Sequence, residues 1–172
     1  KLKRGITKVK DPGSALTHFI AMILAIIAAI PLLSKAGHDS GHMRISALAI
    51  FILSMIGLYA ASTIYHTLDI SPKINKLLRK IDHMMIFILI AGTYTPVCMI
   101  VLGDKTGWTM LTLVWGIAIV GILINALWIT CPKWFSSLIY IAMGWVCILA
   151  ITKILSSMPR AGFMWLLAGG II

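Results

Sequence analysis

Ser62 and His66 stand four residues apart, and the pair Asp82-His83 follows further along the chain. On a helix, a spacing of four puts Ser62 and His66 on one face, one turn from each other. A neutral imidazole is the commonest protein metal ligand, and a carboxylate near it can orient the ring or take a proton from a metal-bound water. His18 and Asn125 are further polar residues set in apolar surroundings. One histidine and one aspartate do not make a zinc site, because catalytic zinc usually takes three protein ligands and leaves a fourth position for water. Spacing alone therefore yields a polar cluster built from His66 and Asp82, with Ser62, His83 and His18 beside them and Asn125 in the same leaflet.

The elements that position these residues follow from composition. Of 172 residues, 60% are apolar and only 12% charged, with a net charge of +10. A soluble domain is about 45–50% apolar and about 25% charged, so this chain has too little polar surface to cover itself. Disorder, a disulfide scaffold and a soluble nucleic-acid module are excluded, and an all-α polytopic membrane helix bundle is predicted. A bilayer core of about 30 Å needs about 20 apolar helical residues. Five runs qualify, at residues 14–33, 45–68, 83–102, 108–129 and 136–152, and the short polar connections between them force antiparallel neighbours. The first run is too long for a signal-peptide core and reads as a retained anchor. A sixth run, GFMWLLAGGII, reaches only about half the hydrocarbon thickness before Ile172. The expectation is one transmembrane domain over residues 1–172, incomplete at its C-terminus and trimmed at its start.

Lys and Arg divide unequally between the two sides. Ten lie on the side of the N-terminus (Lys1, Lys3, Arg4, Lys8, Lys10, Lys73, Lys76, Arg79, Lys80, Lys133) and five on the other (Lys35, Arg44, Lys105, Lys153, Arg160). That asymmetry predicts a multi-pass protein of the cell membrane with a cytoplasmic N-terminus, residues 1–13 forming a basic cytoplasmic segment. Membrane lipids are the expected partners, and a nucleic acid is not. Residues 71–81 form a unit of their own. Ser71-Pro72 is a helix start, and Ile74, Leu77, Leu78 and Ile81 make one apolar stripe among lysines and arginines, an interfacial amphipathic segment leading into the third span.

Other residues have plainer readings. Cys98, Cys131 and Cys147 are odd in number, lack ligand spacing and read as small packing residues. His38 and His42 in the loop HDSGH read as exposed, without a specific role. Gly57-x-x-x-Ala61 would let another helix approach closely, and Pro96 in Thr-Tyr-Thr-Pro would kink the third span. His18 alone would be interfacial and Ser62 alone a back-bonding serine. Asp82 alone would be a helix cap, but Ser71-Pro72 already supplies the start.

The stretch ASTIYHTLDISPKINKLLRKIDHMMIFILIAGTYTP (61–96) and the stretch DPGSALTHFIA (11–21) resemble the bacterial hemolysin III family. That family is related to the progestin and adipoQ receptors, which include the adiponectin receptors, and more distantly to alkaline ceramidases. The resemblance implies seven transmembrane helices and a zinc ion near the cytoplasmic side. By position, His66 would be the first zinc ligand, Asp82 would hold the zinc-bound water and act as general base, and Ser62 would contact the substrate oxyanion or that water. The two remaining ligands, a His-x-x-x-His pair in the last helix, would lie beyond residue 172. The implied chemistry is metal-assisted hydrolysis of a lipid amide or ester, or regulation of membrane lipid state. Two alternatives stand beside it: a cytolytic, pore-forming protein, and a receptor-like membrane sensor with structural zinc.

Overall fold

The computed structural model describes residues 9–39, 41–128 and 133–171. Almost all of the described chain is helical: α1 (Pro12–Asp39), α2 (His42–Thr67), α3 (Pro72–Pro96), α4 (Lys105–Leu127), α5 (Lys133–Trp145), α6 (Ile151–Ser157) and α7 (Arg160–Ile171). Five segments are long and apolar enough to cross a membrane: Pro12–Gly37, His42–Thr67, Pro72–Leu102, Lys105–Leu127 and Trp134–Ser157. These match the five predicted runs, with one informative difference. The third begins at Pro72, because nothing after the Ser71-Pro72 start breaks the helix before the apolar run takes over. The Ser71 hydroxyl accepts from the Ile74 amide at 3.3 Å, as a helix cap should.

Two spans are not α-helical throughout. Past Pro96, whose ring nitrogen cannot donate to the preceding turn, α3 widens into a π-helix at Val97–Leu102. That turn closes on Gly103, whose left-handed φ of 59° lets its amide reach the Cys98 carbonyl at 3.1 Å. The Asp104 side chain then caps α4 by accepting from the Gly107 amide at 3.2 Å. In the fifth span a 3₁₀ stretch, Val146–Ala150, separates α5 from α6. Tyr94 of α3 meets this break: its hydroxyl is 2.9 Å from the Met143 and Gly144 carbonyls and accepts from the Cys147 amide at 2.9 Å. One phenol thus occupies backbone groups that the irregular turn leaves over.

Packing depends on glycines where backbones come close. A Cβ at Gly92 would lie 2.1 Å from Ser54 Oγ, so the backbone of α3 sits directly against the small Ser54 side chain of α2. Gly57, the predicted close-approach residue, faces the flexible Met85 side chain instead. Gly121 of α4 makes room for the Phe87 ring, which is fully buried with Ala91, Val114, Ala118 and Met143. This core runs through α3 and its π-helical end, α4, and the fifth span from α5 to α6. Among the described helices α1 packs only against α2. The large apolar side chains on the outside, such as Ile30, Leu53, Leu127 and Leu149, face where lipid would be.

Candidate functional site

The last turn of α2 leaves carbonyls without helical partners. The segment preceding α1 covers them: the Asp11 amide donates to the His66 carbonyl at 2.9 Å and the Lys10 amide to Thr67 at 3.4 Å. Lys10 Nζ sits 3.6 Å above the Tyr65 ring, a cation–π contact that fixes the same crossing. Asp11 also begins α1. Its carboxylate accepts from the Ser14 hydroxyl at 2.7 Å and from the Ser14 amide at 3.5 Å, with Pro12 at the first helical position. The same carboxylate lies 3.3 Å from His66 Nδ1. The Ser14 hydroxyl and amide, and then His66, hold the Asp11 carboxyl below the usual carboxylate range.

Nearly two turns into α1, His18 stacks on His66, with ring centroids 5.6 Å apart and planes 18° from parallel. His18 Nδ1 is 2.8 Å from the Ser14 carbonyl and 3.4 Å from Ser62 Oγ. A carbonyl only accepts, so the geometry assigns the proton to His18 Nδ1. Ser62 Oγ then accepts from that nitrogen, and its own proton is free for another acceptor. Asp82 lies close enough to Ser62 to interact with it electrostatically. Asp82 is buried inside α3, with His66 near enough to interact with its carboxylate. His83 Nδ1 is 3.5 Å from Asp82 Oδ2, within electrostatic reach but beyond good hydrogen-bond geometry, which leaves a buried nitrogen without a hydrogen-bond partner. The His83 backbone carbonyl accepts from the Tyr140 hydroxyl at 2.8 Å, tying this turn to α5.

Five of the residues singled out from sequence are therefore neighbours: His18, Ser62, His66, Asp82 and His83. Asn125 is engaged elsewhere. Its amide donates to the Gly121 carbonyl at 3.1 Å and its oxygen accepts from Ser136 at 3.0 Å, a buried link between α4 and α5. Cys98 is buried in the core and is unpaired, as is Cys147, while Cys131 lies outside the described residues. His42 opens α2 on an exposed turn, and the side chain of His38 lies outside the described residues. Asp11 was not foreseen as a site residue. The pattern Asp-Pro-x-Ser marks a helix start, but its contact with His66 joins different helices and has no local signal.

As a donor set the cluster is partial. His66 offers an imidazole with a carboxylate on Nδ1, yet among the described residues no three His, Cys, Asp or Glu side chains converge closely enough to hold an ion. Zinc needs more than these residues bring together.

Apolar membrane-crossing helices around an ionisable cluster near one end define a multi-pass membrane protein. The sequence profile of the family described as "Haemolysin-III related" matches residues 6–172. The chain belongs to the hemolysin III family. It is 39% identical over 173 residues to Hemolysin-3 of Bacillus cereus, covering 100% of this chain and 78% of that protein. It is 36% identical over 163 residues to the Hemolysin-3 homolog of Bacillus subtilis (strain 168), covering 95% of this chain and 76% of that protein.

Proposed function

We propose that this protein is a hydrolase of the cell membrane that cleaves a lipid amide or ester at the Ser62–His66–Asp82 cluster, with zinc as cofactor and the N-terminus in the cytoplasm. The observation that supports it is Asp82, a carboxylate buried within a span and met by Ser62 and His83. Ionisable groups in a span are expensive and rarely kept without a use. In this reading His66 is one zinc ligand, and the others come from outside the described residues. Bound zinc would supply an activated water and polarise the substrate carbonyl.

The chain's own residues would do the rest. A lipid entering sideways between helices brings its carbonyl to the cluster without leaving the bilayer. Asp82 takes a proton from the attacking water and delivers it to the departing amine or alcohol, so that one water is consumed as one fatty acid is released. Ser62 donates to the oxygen on which negative charge develops. His18, stacked on His66, limits how that ring can turn.

The test is metal content and product together, on the intact protein purified in detergent. Wild type should carry about one zinc per chain and release fatty acid from a lipid amide or ester, and His66→Ala should lose both. Wild type without stoichiometric zinc, or His66→Ala with undiminished zinc, would overturn the proposal.

A further inference from the structure

We infer that Asp11 is a positioning residue for His66: its carboxylate holds the imidazole as the Nδ1–H tautomer, leaving Nε2 as the nitrogen with a free lone pair. The inference deepens the zinc-dependent reading above and rests on it for the purpose of the positioning. The geometry itself stands without it.

Three observations carry the assignment. Asp11 Oδ2 lies 3.3 Å from His66 Nδ1. Asp11 is also tied by its backbone to the very residue its side chain faces, since its amide donates to the His66 carbonyl at 2.9 Å. The carboxylate is itself held by the Ser14 hydroxyl at 2.7 Å. The His66 ring is then confined on further sides, stacked on His18 and met edge-on by Tyr65 at 4.8 Å between centroids. Of the two ring nitrogens, Nδ1 is the one at ion-pair distance from a carboxylate, which can only accept, and this favours the proton on that nitrogen.

The arrangement is that of a carboxylate behind a metal-binding histidine. Such partners set the tautomer and raise the basicity of the ligating nitrogen, and their loss weakens metal binding by about 10–100-fold. Mere capping of α1 does not account for it. Serine caps as well as aspartate but is too short to reach His66.

Asp11→Ser separates the two roles. The intact protein, with ¹⁵N-labelled histidine, is studied in detergent without metal at about pH 8, where an unperturbed imidazole of pKa about 6.5 is neutral. His66→Gln assigns the His66 signals. Wild-type His66 should be the Nδ1–H tautomer. Asp11→Ser should shift it towards the Nε2–H form that free imidazole side chains favour. Asp11→Asn, whose amide oxygen still accepts, should keep Nδ1–H. An Nε2–H tautomer in wild type, or an unchanged tautomer in Asp11→Ser, would overturn the inference. Zinc affinity by chelator competition should fall about 10–100-fold in Asp11→Ser. Equal affinities would also overturn it. Wild type without zinc would defeat the hydrolase reading alone, and the tautomer would still decide the role of Asp11.

Discussion

Two parts of this bundle place polar groups among apolar helices and treat them differently. Around Tyr94 the partners are backbone groups and neutral side chains. The phenol meets Met143, Gly144 and Cys147 at 2.9 Å each, Thr95 donates to the Ala91 carbonyl at 2.9 Å, and Trp115 donates to Thr95 at 3.2 Å. In the histidine cluster several partners can carry charge, the contacts Asp11–His66, Ser62–His18 and Asp82–His83 are 3.3 to 3.5 Å long, and the buried His83 Nδ1 has no hydrogen-bond partner. A network made to hold helices satisfies its groups and gains nothing from ionising. A network left loosely matched keeps donors and acceptors for something that is not a helix. On the proposed function, the first region is structural and the second is where the chemistry would take place.

The contrast can be broken most severely at the junction between the regions. Gly92→Leu would drive a side chain into Ser54, 2.1 Å from the first added carbon, and α2 and α3 could not both stay in place. The expected result is loss of the folded protein, read as aggregation in size-exclusion chromatography in detergent. A monodisperse variant melting like wild type would show that the helices do not meet as described.

Tyr94→Phe sharpens the comparison from the structural side. It removes the hydroxyl from the 3₁₀ break and strands the groups it serves, each unpaired buried group being worth about 1–3 kcal/mol. The melting temperature should fall measurably, while the zinc content per folded molecule should not change. A variant that kept its stability but lost zinc would reverse the roles given to the two regions.

The smallest effect belongs to a third polar site, at the mouth of α4. Lys153 pairs with Asp104 and also lies 3.0 Å from Thr106 Oγ1. Lys153, and then the Gly107 amide, hold the Asp104 carboxyl below its ordinary value of 3.8. A carboxyl lowered on folding contributes stability above its unfolded pKa and loses it as pH falls through the folded value. Asp104→Asn should melt slightly below wild type at pH 7, with the gap closing below pH 3.8. The pair is exposed enough that salt should narrow the gap as well. A gap unchanged by acid would remove the ion pair from the account.

How much of this was legible depended on whether the signal was local. The five spans were, because each is a long apolar run, and so was the shared face of Ser62 and His66. Asp82 stood out as a carboxylate where a cap was already supplied at Ser71. Asp11 did not, since a capping aspartate looks the same whether or not a histidine 55 positions later lies against it. Nor did the break after Trp145, which no proline announces and which is held by Tyr94 from another helix. Asn125 was placed near the right end, but its choice of Ser136 over the histidine cluster depends on how α4 and α5 pack.

The central claim is that the cluster around Asp82 performs hydrolysis. The most direct measurement is fatty-acid release from a lipid amide or ester by the intact, zinc-loaded protein, with Asp82→Asn alongside. Asparagine preserves shape and removes the base, so the variant should fold and keep zinc while losing about 10²–10⁴-fold in rate. Undiminished release by a folded, zinc-loaded Asp82→Asn would contradict the account.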